Sequence, residues 1–330
     1  MNIREPLMQA ALSRLLQGID RARVALLGDL CLDLYWTADM RLSELSRETP
    51  NYPLPVVEER FSPGGAGNVA ANLAALKPAK LTVLGVIGND WRGGLLAQAL
   101  EQSGVDSSRL IRQDGFVTNT YVKPLRRGIS DVVYESPRID FENRGEIPGE
   151  LEKKLLRALE ETADDFDVLC VSDQMKRGII TPRVREAICR LGKRVVVDSR
   201  DRIALYHGVT VKPNEVEASR AFGCGTDPEA LAEALPRIEE QNGAPMIVTL
   251  GDKGCLTCEN GNVTLCPTLR VPPPIDIVGA GDTFLSAVGC VLASGASLAD
   301  AAALANLASA VTIRKIGVTG TASRAEISAL

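Results

Sequence analysis

The sequence predicts an α/β protein, a three-layer α/β/α arrangement on a mostly parallel sheet, carrying a small β-sheet lid. Three observations predict it. Short apolar runs alternate with helical segments through most of the 330 residues, an alternation that forms parallel sheets covered by helices on both faces. Two other segments, about 32–61 and 118–141, break this rhythm. A glycine-rich run, Gly279 to Gly281, opens a long apolar stretch near the C-terminus.

The regular elements follow in chain order. Val24 to Gly28 is a short apolar run typical of a buried parallel strand. The patterns after it predict a helix at 67–76, a strand at 81–87 and a helix at 95–103. Further strands are predicted at 167–172, 194–198, 209–211 and 246–250, and helices at 150–164, 182–191, 215–222 and 228–241. Ligands of such sheets bind at the carboxyl ends of the strands.

The segments 32–61 and 118–141 are rich in β-branched, aromatic and proline residues, and alternate at 117–122 and around 132–134. We interpret them as one lid inserted into a single domain spanning 1–330. The three prolines between 50 and 55 indicate the approach to an edge strand. Because lid edges expose strand backbone that a second copy can cover, we expect a homodimer through the lid.

Composition limits the function classes. The chain has 37 basic and 42 acidic residues, which argues against a nucleic-acid surface. No apolar run reaches membrane-spanning length, and the first residues lack the order of a signal peptide. The sequence therefore predicts a cytoplasmic protein with no nucleic-acid or membrane partner.

Histidine and cysteine usage disfavours two further kinds of site. His207 is the only histidine, which excludes a metal site built on several histidines, and its surroundings in the sequence fit a loop position. Cys255 and Cys258 are three apart, and if 254–259 is a strand their side chains face opposite sides. No second cysteine pair or nearby histidine completes four ligands, so a metal site there is disfavoured.

The run from Asp276 to Phe284 is the strongest chemical signal. Gly279, Ala280 and Gly281 would leave backbone N–H groups unobstructed at the positive end of a helix, where charge on a transferring phosphoryl group is stabilised. Asp282 would then accept a proton from an attacking hydroxyl. The alternative is a glycine-rich helix entry with Asp282 as a first-turn charge.

The run from Phe61 to Asn72 contains a Gly-x-Gly-x-x-Ala match to the dinucleotide fingerprint, from Gly65 to Ala70, but Ser62 and Pro63 precede it where the fingerprint requires a strand. We favour a glycine turn that lets a substrate approach the backbone, with Asn68 directed at a sugar hydroxyl. Tight helix packing by Gly and Ala remains the structural alternative.

Two further turns follow predicted strands. Asn214 and Glu217 lie three apart on an opening helix turn, where they could hold Mg²⁺ through water or form an ordinary capping box. The sequence does not separate these two readings. Thr249, Gly251 and Gly254 form a turn suited to phosphate or ribose, although a simple hairpin produces the same pattern. Neither a P-loop nor the protein-kinase motifs are present.

In this order, the motifs resemble the ribokinase-like (PfkB-type) carbohydrate kinases over nearly the whole chain. The resemblance implies ATP-dependent phosphorylation of a sugar hydroxyl, with Asp282 as general base and Gly279 to Gly281 as anion hole. It implies that Asp33, Gly64, Gly65 and Asn68 bind the sugar, that Asn214 and Glu217 organise Mg²⁺ and phosphates, and that Thr249, Gly251, Gly254 and Asn306 bind the nucleotide. It also places a monovalent cation such as K⁺ near Asp276.

Within the family, the closest likeness is to the heptose 7-phosphate kinases of lipopolysaccharide precursor synthesis, which form the 1,7-bisphosphate. The stretches that carry this likeness include Lys123, Arg138, Asp140 and Lys176, and the three basic groups among them could pair with a phosphate already on the substrate. Ser172 to Gly178 and Ile277 depart from the usual family pattern. The alternatives are a kinase for ribose, fructose phosphate or a nucleoside, a non-catalytic sugar or nucleotide sensor, and, ranked last, an NAD-linked oxidoreductase.

Overall fold

We analysed the protein as a computed structural model, which describes residues 1–130 and 132–330; position 131, inside the second lid segment, lies outside the described residues. The strands are β1 (Asn2–Ile3), β2 (Arg23–Gly28), β3 (Leu30–Asp39), β4 (Val56–Gly65), β5 (Lys80–Leu84), β6 (Val86–Gly88), β7 (Ile111–Gln113), β8 (Thr120–Arg127), β9 (Val133–Glu135), β10 (Ile139–Phe141), β11 (Val168–Asp173), β12 (Arg194–Ser199), β13 (Thr210–Val211), β14 (Met246–Thr249), β15 (Cys255–Glu259) and β16 (Asn262–Cys266). The helices are α1 (Gln9–Gly18), α2 (Ala66–Leu76), α3 (Trp91–Gln102), α4 (Gly149–Thr162), α5 (Pro182–Cys189), α6 (Glu215–Phe222), α7 (Pro228–Asn242), α8 (Ala280–Ala293), α9 (Leu298–Thr312) and α10 (Arg324–Ser328).

The main sheet has nine strands in the order β1-β16-β15-β14-β13-β12-β11-β2-β5. From β5 to β14 every pairing is parallel, and only β15 pairs antiparallel with its two neighbours. The carboxyl ends of β2, β11, β12, β13 and β14 therefore lie along one edge, where loops from neighbouring strands meet.

The core consists of two apolar layers, one on each face of this sheet. Along β2, Val24 and Leu26 belong to the layer beneath α1, α2, α8 and α9, whereas Ala25 and Leu27 belong to the layer beneath α4, α5 and α7. All four side chains are fully buried. Because both faces are covered, these strands are apolar throughout, and burying each leucine contributes roughly 1.5–3 kcal/mol. The predicted three-layer α/β/α class is confirmed.

A second sheet stands off the main one, in the order β10-β8-β3-β4 with β9 paired to β8. It starts one residue after β2, since only Asp29 separates β2 from β3. β3 pairs antiparallel with β4 and parallel with β8. Its strands lie mostly in the two segments that break the rhythm, but β4 runs on to Gly65, beyond the predicted limit at 61.

Two local predictions were wrong. The strand expected over 81–87 is broken at Gly85, where a Cβ would lie 2.7 Å from a Leu30 methyl carbon; β6 instead pairs with β7 in a separate two-stranded sheet. A strand does precede Gly65 directly, because Ser62 and Pro63 lie within β4. β4 pairs antiparallel with β3, however, so the βαβ context of a dinucleotide site is still lacking.

Across the described residues, no helix has the length and apolar character needed to cross a membrane.

Candidate active site

The N-terminus of α8 lies beside α2 and the segment that carries Thr319. Gly279 is its N-cap, with φ of 82°, and an added Cβ would lie 2.8 Å from both Asn68 Nδ2 and a Thr319 carbon. The amide of Ala280 donates to the Ile277 carbonyl at 3.2 Å. Within the described parts of the chain the amides of Gly279, Gly281 and Asp282 have no protein acceptor. The turn 279–282, called the cradle below, therefore offers the free amides of these three residues. The prediction that the Ala280 amide is also free is wrong.

Asp282 lies in the first turn of α8 and is half-buried. Its carboxylate accepts a hydrogen bond from Asn68 Nδ2 at 2.7 Å. Burial raises the pKa of Asp282 to about 7; the negative charge of Asp198 adds to the rise, while the bond from Asn68 opposes it. A carboxyl with such a pKa can accept a proton near neutral pH.

Asn68 is itself held by a buried polar chain that joins α2 to α8. Asn72 Nδ2 donates to Asn68 Oδ1 at 3.2 Å and to the Asn68 carbonyl at 3.0 Å. Thr283 Oγ1 donates to Asn72 Oδ1 at 2.8 Å. Because all three side chains are buried, the chain fixes Asn68 and, through it, the orientation of the Asp282 carboxylate.

Asp33 and Gly64 lie opposite this helix, on β3 and β4 of the second sheet. A Cβ on Gly64 would lie 2.9 Å from the carboxyl carbon of Asp33, so only glycine leaves room for that side chain. Burial raises the pKa of Asp33, and the charges of Lys123 and Arg138 oppose the rise. The negative charge of Asp33 in turn contributes to the raised pKa of Asp282, which places the two carboxylates at one site.

A buried ion pair that the sequence reasoning missed lies beside the cradle. Lys212 Nζ contacts Asp198 at 3.1 Å, and both side chains are almost fully buried. The Lys212 ammonium nitrogen would lie 3.9 Å from a Cβ on Gly281. Each residue follows or ends an apolar strand, which is the signal that could have identified them. The pair places a positive charge next to the free amides of α8.

Asn214 and Glu217 form the capping box at the start of α6. Asn214 Oδ1 accepts from the Glu217 amide at 2.8 Å, and Glu217 Oε2 accepts from the Asn214 amide at 2.9 Å. Burial raises the pKa of Glu217, and the nearby charge of Asp198 adds to it. The capping interpretation is therefore confirmed, and the cap uses only one of the two Glu217 carboxylate oxygens, Oε2.

The turn predicted for the nucleotide lies next to this box, since Thr249 at the end of β14 forms a parallel bridge with Asn214. Gly251 and Gly254 adopt positive φ angles of 59° and 92° in the turn that leads to β15. The turn is also a hairpin connection, because β14 and β15 are antiparallel neighbours.

Asn306, predicted to line the nucleotide site, is buried and turned toward the end of β16. Its Nδ2 donates to the Cys266 carbonyl at 2.8 Å and to the Pro267 carbonyl at 3.3 Å. With both amide hydrogens engaged by the chain, its contribution is to hold the segment after β16.

Two of the three basic residues suggested for substrate, Arg138 and Lys176, line a cavity of about 710 Å³ between the second sheet and the loops after β11 and β12. Arg138 stacks over the Tyr121 ring at 3.9 Å and forms a two-point ion pair with Asp140 at 2.6 and 2.7 Å. Lys176 lines the cavity from the loop after β11. Lys123 is not in the wall; its Nζ donates to the Tyr35 hydroxyl at 3.1 Å. Basic residues that line the cavity and were not anticipated are Arg92, Arg144, Arg177 and Arg200.

Asp276 connects the two loops that flank the cradle. Its carboxylate accepts from the Val278 amide at 3.1 Å and from the Gly317 amide at 2.9 Å, and its own amide donates to the Ile313 carbonyl.

Cys255 and Cys258 lie on opposite faces of β15, in different layers of the core, as predicted. Within residues 1–130 and 132–330, no cluster of three or more His, Cys, Asp or Glu side chains is arranged to hold a metal ion.

Comparison with known proteins adds family information to this geometry. A family model described as pfkB family carbohydrate kinase matches residues 22–325. The curated protein named Bifunctional protein HldE of Trichlorobacter lovleyi is 35% identical over 322 residues, which cover 95% of this chain and 63% of that protein. The protein of the same name from Geobacter sulfurreducens is 37% identical over 311 residues, which cover 91% of this chain and 61% of that protein. The chain therefore spans less than two thirds of the length of these relatives.

Solved structures agree on the fold. An Arabidopsis thaliana ribokinase complexed with ribose and ATP superposes with a TM-score of 0.71 at 20% identity, covering 93% of this chain and 97% of that one. Phosphofructokinase-2 from Escherichia coli, in complex with substrates and products, gives a TM-score of 0.70 at 22% identity with the same coverage. At these identities the similarity shows the fold alone.

Proposed function

This chain belongs to the pfkB family of carbohydrate kinases, and from that premise we propose that it transfers the γ-phosphoryl group of ATP to a hydroxyl of a sugar that already carries a phosphate. Heptose 7-phosphate is the acceptor we favour, with the 1,7-bisphosphate as product. The sequence resemblance to heptose 7-phosphate kinases and the similarity to the proteins named HldE both support this choice.

One observation carries the proposal of a transfer site. The Asp282 carboxylate lies in the first turn of α8, beside free backbone amides and 2.7 Å from Asn68. In the proposed reaction Asp282 accepts the proton of the attacking sugar hydroxyl as its oxygen bonds to the γ-phosphorus of ATP. The bond from that phosphorus to the β–γ bridging oxygen breaks, and ADP leaves with that oxygen. The free amides and the Lys212 ammonium stabilise the negative charge on the transferred group. Asp33 and Asn68 orient the sugar.

The residues near α6 fit the requirements of ATP with Mg²⁺. Glu217 Oε1 and Asp198 supply carboxylate oxygens at the edge where β12, β13 and β14 end, and Mg²⁺ commonly uses one or two carboxylates together with water and substrate phosphates. Bound Mg²⁺ would neutralise phosphate charge during transfer. We assign Thr249, Gly251 and Gly254 to the nucleotide, because this turn adjoins Asn214.

The charge of the cavity supports a phosphorylated acceptor. Six basic side chains line it, Arg92, Arg138, Arg144, Lys176, Arg177 and Arg200, against three acidic ones, Asp140, Glu142 and Asp201. Arg92 pairs with Asp90 and Arg138 with Asp140, but an unphosphorylated sugar would leave the rest of this excess of positive charge without a partner, whereas a phosphate monoester accepts several charge-assisted hydrogen bonds. Tyr121, which lines the cavity, is paired with Asp33 in the register of β8 and β3. The cavity therefore adjoins the residue proposed to orient the sugar.

We also propose that the second sheet is a lid and that two lids pair in a homodimer. Arg60 on β4 stacks over the Tyr35 ring at 4.4 Å and donates to the Gly317 carbonyl at 3.2 Å, so the sheet reaches the loops beside the cradle. A lid excludes water from the transferring phosphoryl group. Apolar side chains of this sheet that are exposed in the single chain include Val56, Val57, Val133, Tyr134 and Ile139. Sedimentation of the protein as a monomer at working concentration would contradict the dimer.

The contacts of Asp276 support a monovalent cation site. Asp276 fixes Gly317 and Val278 in adjacent loops, and carbonyl oxygens of such loops are ligands that K⁺ accepts. We expect activity to rise when K⁺ replaces a large organic cation in the assay. Equal activity in the two salts would contradict a K⁺ requirement.

An acceptor panel tests the proposed function. ADP release with ATP and Mg²⁺ is measured with heptose 7-phosphate, fructose 6-phosphate, ribose, unphosphorylated heptose and a nucleoside. We expect release only with an acceptor, and the highest kcat/KM with heptose 7-phosphate. A preference for ribose or the nucleoside would contradict the phosphorylated acceptor, and the absence of turnover with every acceptor would contradict the kinase.

A further inference from the structure

Asp29 is a buried carboxylate at the junction between the main sheet and the second sheet. It is the single residue between β2 and β3 and is 1% exposed. Its carboxylate accepts three backbone hydrogen bonds from one short segment, from the amides of Gln174 at 3.1 Å, Met175 at 2.9 Å and Ile179 at 2.8 Å. The segment 174–179 after β11 therefore curls around Asp29 and turns its N–H groups inward.

Gly178 completes this arrangement. A Cβ at Gly178 would overlap the Asp29 carboxylate, with the atoms nearer than real side chains approach. Glycine is therefore required here by the close passage of the segment over Asp29, independently of its φ angle.

Arg202, in the loop after β12, holds the same segment from the other side. Its guanidinium donates to the Met175 carbonyl at 2.6 Å and to the Lys176 carbonyl at 3.1 Å. It is anchored by a two-point ion pair with the fully buried Asp173, one bond of which measures 3.0 Å. The planar fork of arginine makes all these bonds at once, which an ammonium group cannot do.

The two anchors leave the side chains of the segment facing the cavity. Gln174, Met175, Lys176 and Arg177 all line the cavity of about 710 Å³. The amides of Gln174 and Met175 are committed to Asp29, and the carbonyls of Met175 and Lys176 to Arg202. The course of the segment that carries the Lys176 and Arg177 side chains is therefore set by two residues that do not line the cavity themselves.

We propose that Asp29 and Arg202 act as positioning residues that preorganise the segment 174–179 to bind the phosphate group already present on the sugar acceptor. This inference rests on the proposed function. This preorganisation raises the affinity for the acceptor, because a segment that is ordered before binding loses little conformational entropy when the phosphate binds. Transfer at α8 is not altered.

The main test is Asp29→Asn, assayed at pH 8. Burial raises the pKa of Asp29 to about 6, so the wild-type group is ionised at that pH. The amide keeps the shape but replaces one accepting oxygen with a donor that faces backbone N–H groups. We expect KM for the sugar phosphate to rise about 10- to 100-fold, with kcat at saturation and KM for ATP within about threefold of wild type. KM for an unphosphorylated sugar should change less than about threefold.

Glu239→Gln provides the matched control. Glu239 is also a buried carboxylate that accepts backbone N–H groups, from Asn260 at 2.7 Å and Gly261 at 2.8 Å. It caps the β15–β16 hairpin at the opposite edge of the sheet. We expect this variant to lose stability without changing the ratio of KM values for phosphorylated and unphosphorylated sugars.

Two further variants keep the inference testable if Asp29→Asn does not fold. Gly178→Ala displaces the segment by a collision with the Asp29 carboxylate while leaving the chemistry of the Asp29 and Arg202 side chains unchanged. Arg202→Lys retains the charge beside Asp173 but loses the fork. Both should raise KM for the sugar phosphate selectively. Wild-type KM in these variants, or an equal rise for phosphorylated and unphosphorylated acceptors, would overturn the inference.

Inorganic phosphate separates this inference from the choice of acceptor. We expect phosphate to bind to the wild-type protein, measured by calorimetry without nucleotide, and to bind at least about tenfold more weakly to the Asp29 and Gly178 variants. If the acceptor panel showed that only unphosphorylated sugars react, the choice of a phosphorylated acceptor would be wrong. The phosphate affinities measured by calorimetry would still decide whether Asp29 positions the segment. Equal phosphate affinity in wild type and variants would overturn it.

Discussion

Replacing Asp282 by Asn removes the charge of the proposed base while keeping its shape. The pKa of the Asp282 carboxyl is about 7, against 3.8 for an unperturbed Asp, because burial and the charge of Asp198 oppose ionisation. A carboxyl whose pKa is higher in the folded state contributes its full stability below about pH 4. That stability is lost as the pH rises and is gone above about pH 7. Asn does not titrate and keeps it at every pH.

The magnitude follows from the two pKa values. The difference between about 7 and 3.8, at 1.36 kcal/mol per pH unit, gives about 4 kcal/mol in favour of the Asn variant above pH 7. Asp282 is half-buried and therefore partly reached by solvent, so solvent screening makes this figure an upper bound. Between pH 5 and pH 8 the advantage of the variant should grow by up to about 3 kcal/mol.

Urea unfolding of wild type and Asp282→Asn at pH 5 and pH 8 measures this difference. Glu229→Gln, which removes an exposed carboxylate in the first turn of α7, serves as the control and should show no such growth. If the difference in free energy of unfolding between variant and wild type were the same at both pH values, the raised pKa of Asp282 would be refuted.

Four further results are expected. The kcat/KM of the wild type should fall about tenfold per pH unit below about pH 7, because the base must be ionised; a profile flat to pH 5 would contradict this. Gly279→Ala should lower kcat roughly 10- to 100-fold, since the residue needs a positive φ and its Cβ would collide with Asn68; unchanged kcat would count against the cradle. Lys212→Met leaves Asp198 buried without its partner and should lower the free energy of unfolding by roughly 3–5 kcal/mol in chemical denaturation, whereas a stable variant would show that the pair is dispensable. Asn72→Ala should lower the free energy of unfolding by roughly 1–3 kcal/mol, because it leaves the Thr283 hydroxyl without its acceptor. It should also lower kcat with little change in KM for ATP, and an unchanged kcat would show that the polar chain does not contribute to catalysis.

The layered fold could be predicted from the sequence because its strands are covered on both faces. Runs such as Val24 to Gly28 are apolar at every position, and this pattern depends on burial alone. The break at Gly85 could not be predicted, because it results from the close approach of Leu30, a contact between distant parts of the chain.

The site was predictable where a motif is local. Asp282 and the glycines before it lie within a few residues, so their shared place at a helix start follows from the sequence. The pair of Lys212 and Asp198 and the contacts of Asp29 with the segment 174–179 join different strand ends. No spacing rule in one sequence indicates such contacts, since they arise only when the parallel strands align in register.

The capping box at Asn214 shows a different limit. The same residues at the same spacing serve a structural cap and a metal-binding role, and the structure shows the cap directly through two backbone hydrogen bonds. Because the cap uses only one carboxylate oxygen of Glu217, the second oxygen could still bind a metal ion.

The rate of ADP formation by Asp282→Ala, measured with saturating ATP and sugar phosphate beside an ATP-binding titration, tests the proposed role of Asp282 most directly. We predict a kcat lower by roughly 10²- to 10⁴-fold, with an ATP dissociation constant within about twofold of wild type, because the side chain acts on the acceptor hydroxyl and not on the nucleotide. A kcat near that of the wild type would contradict Asp282 as the base.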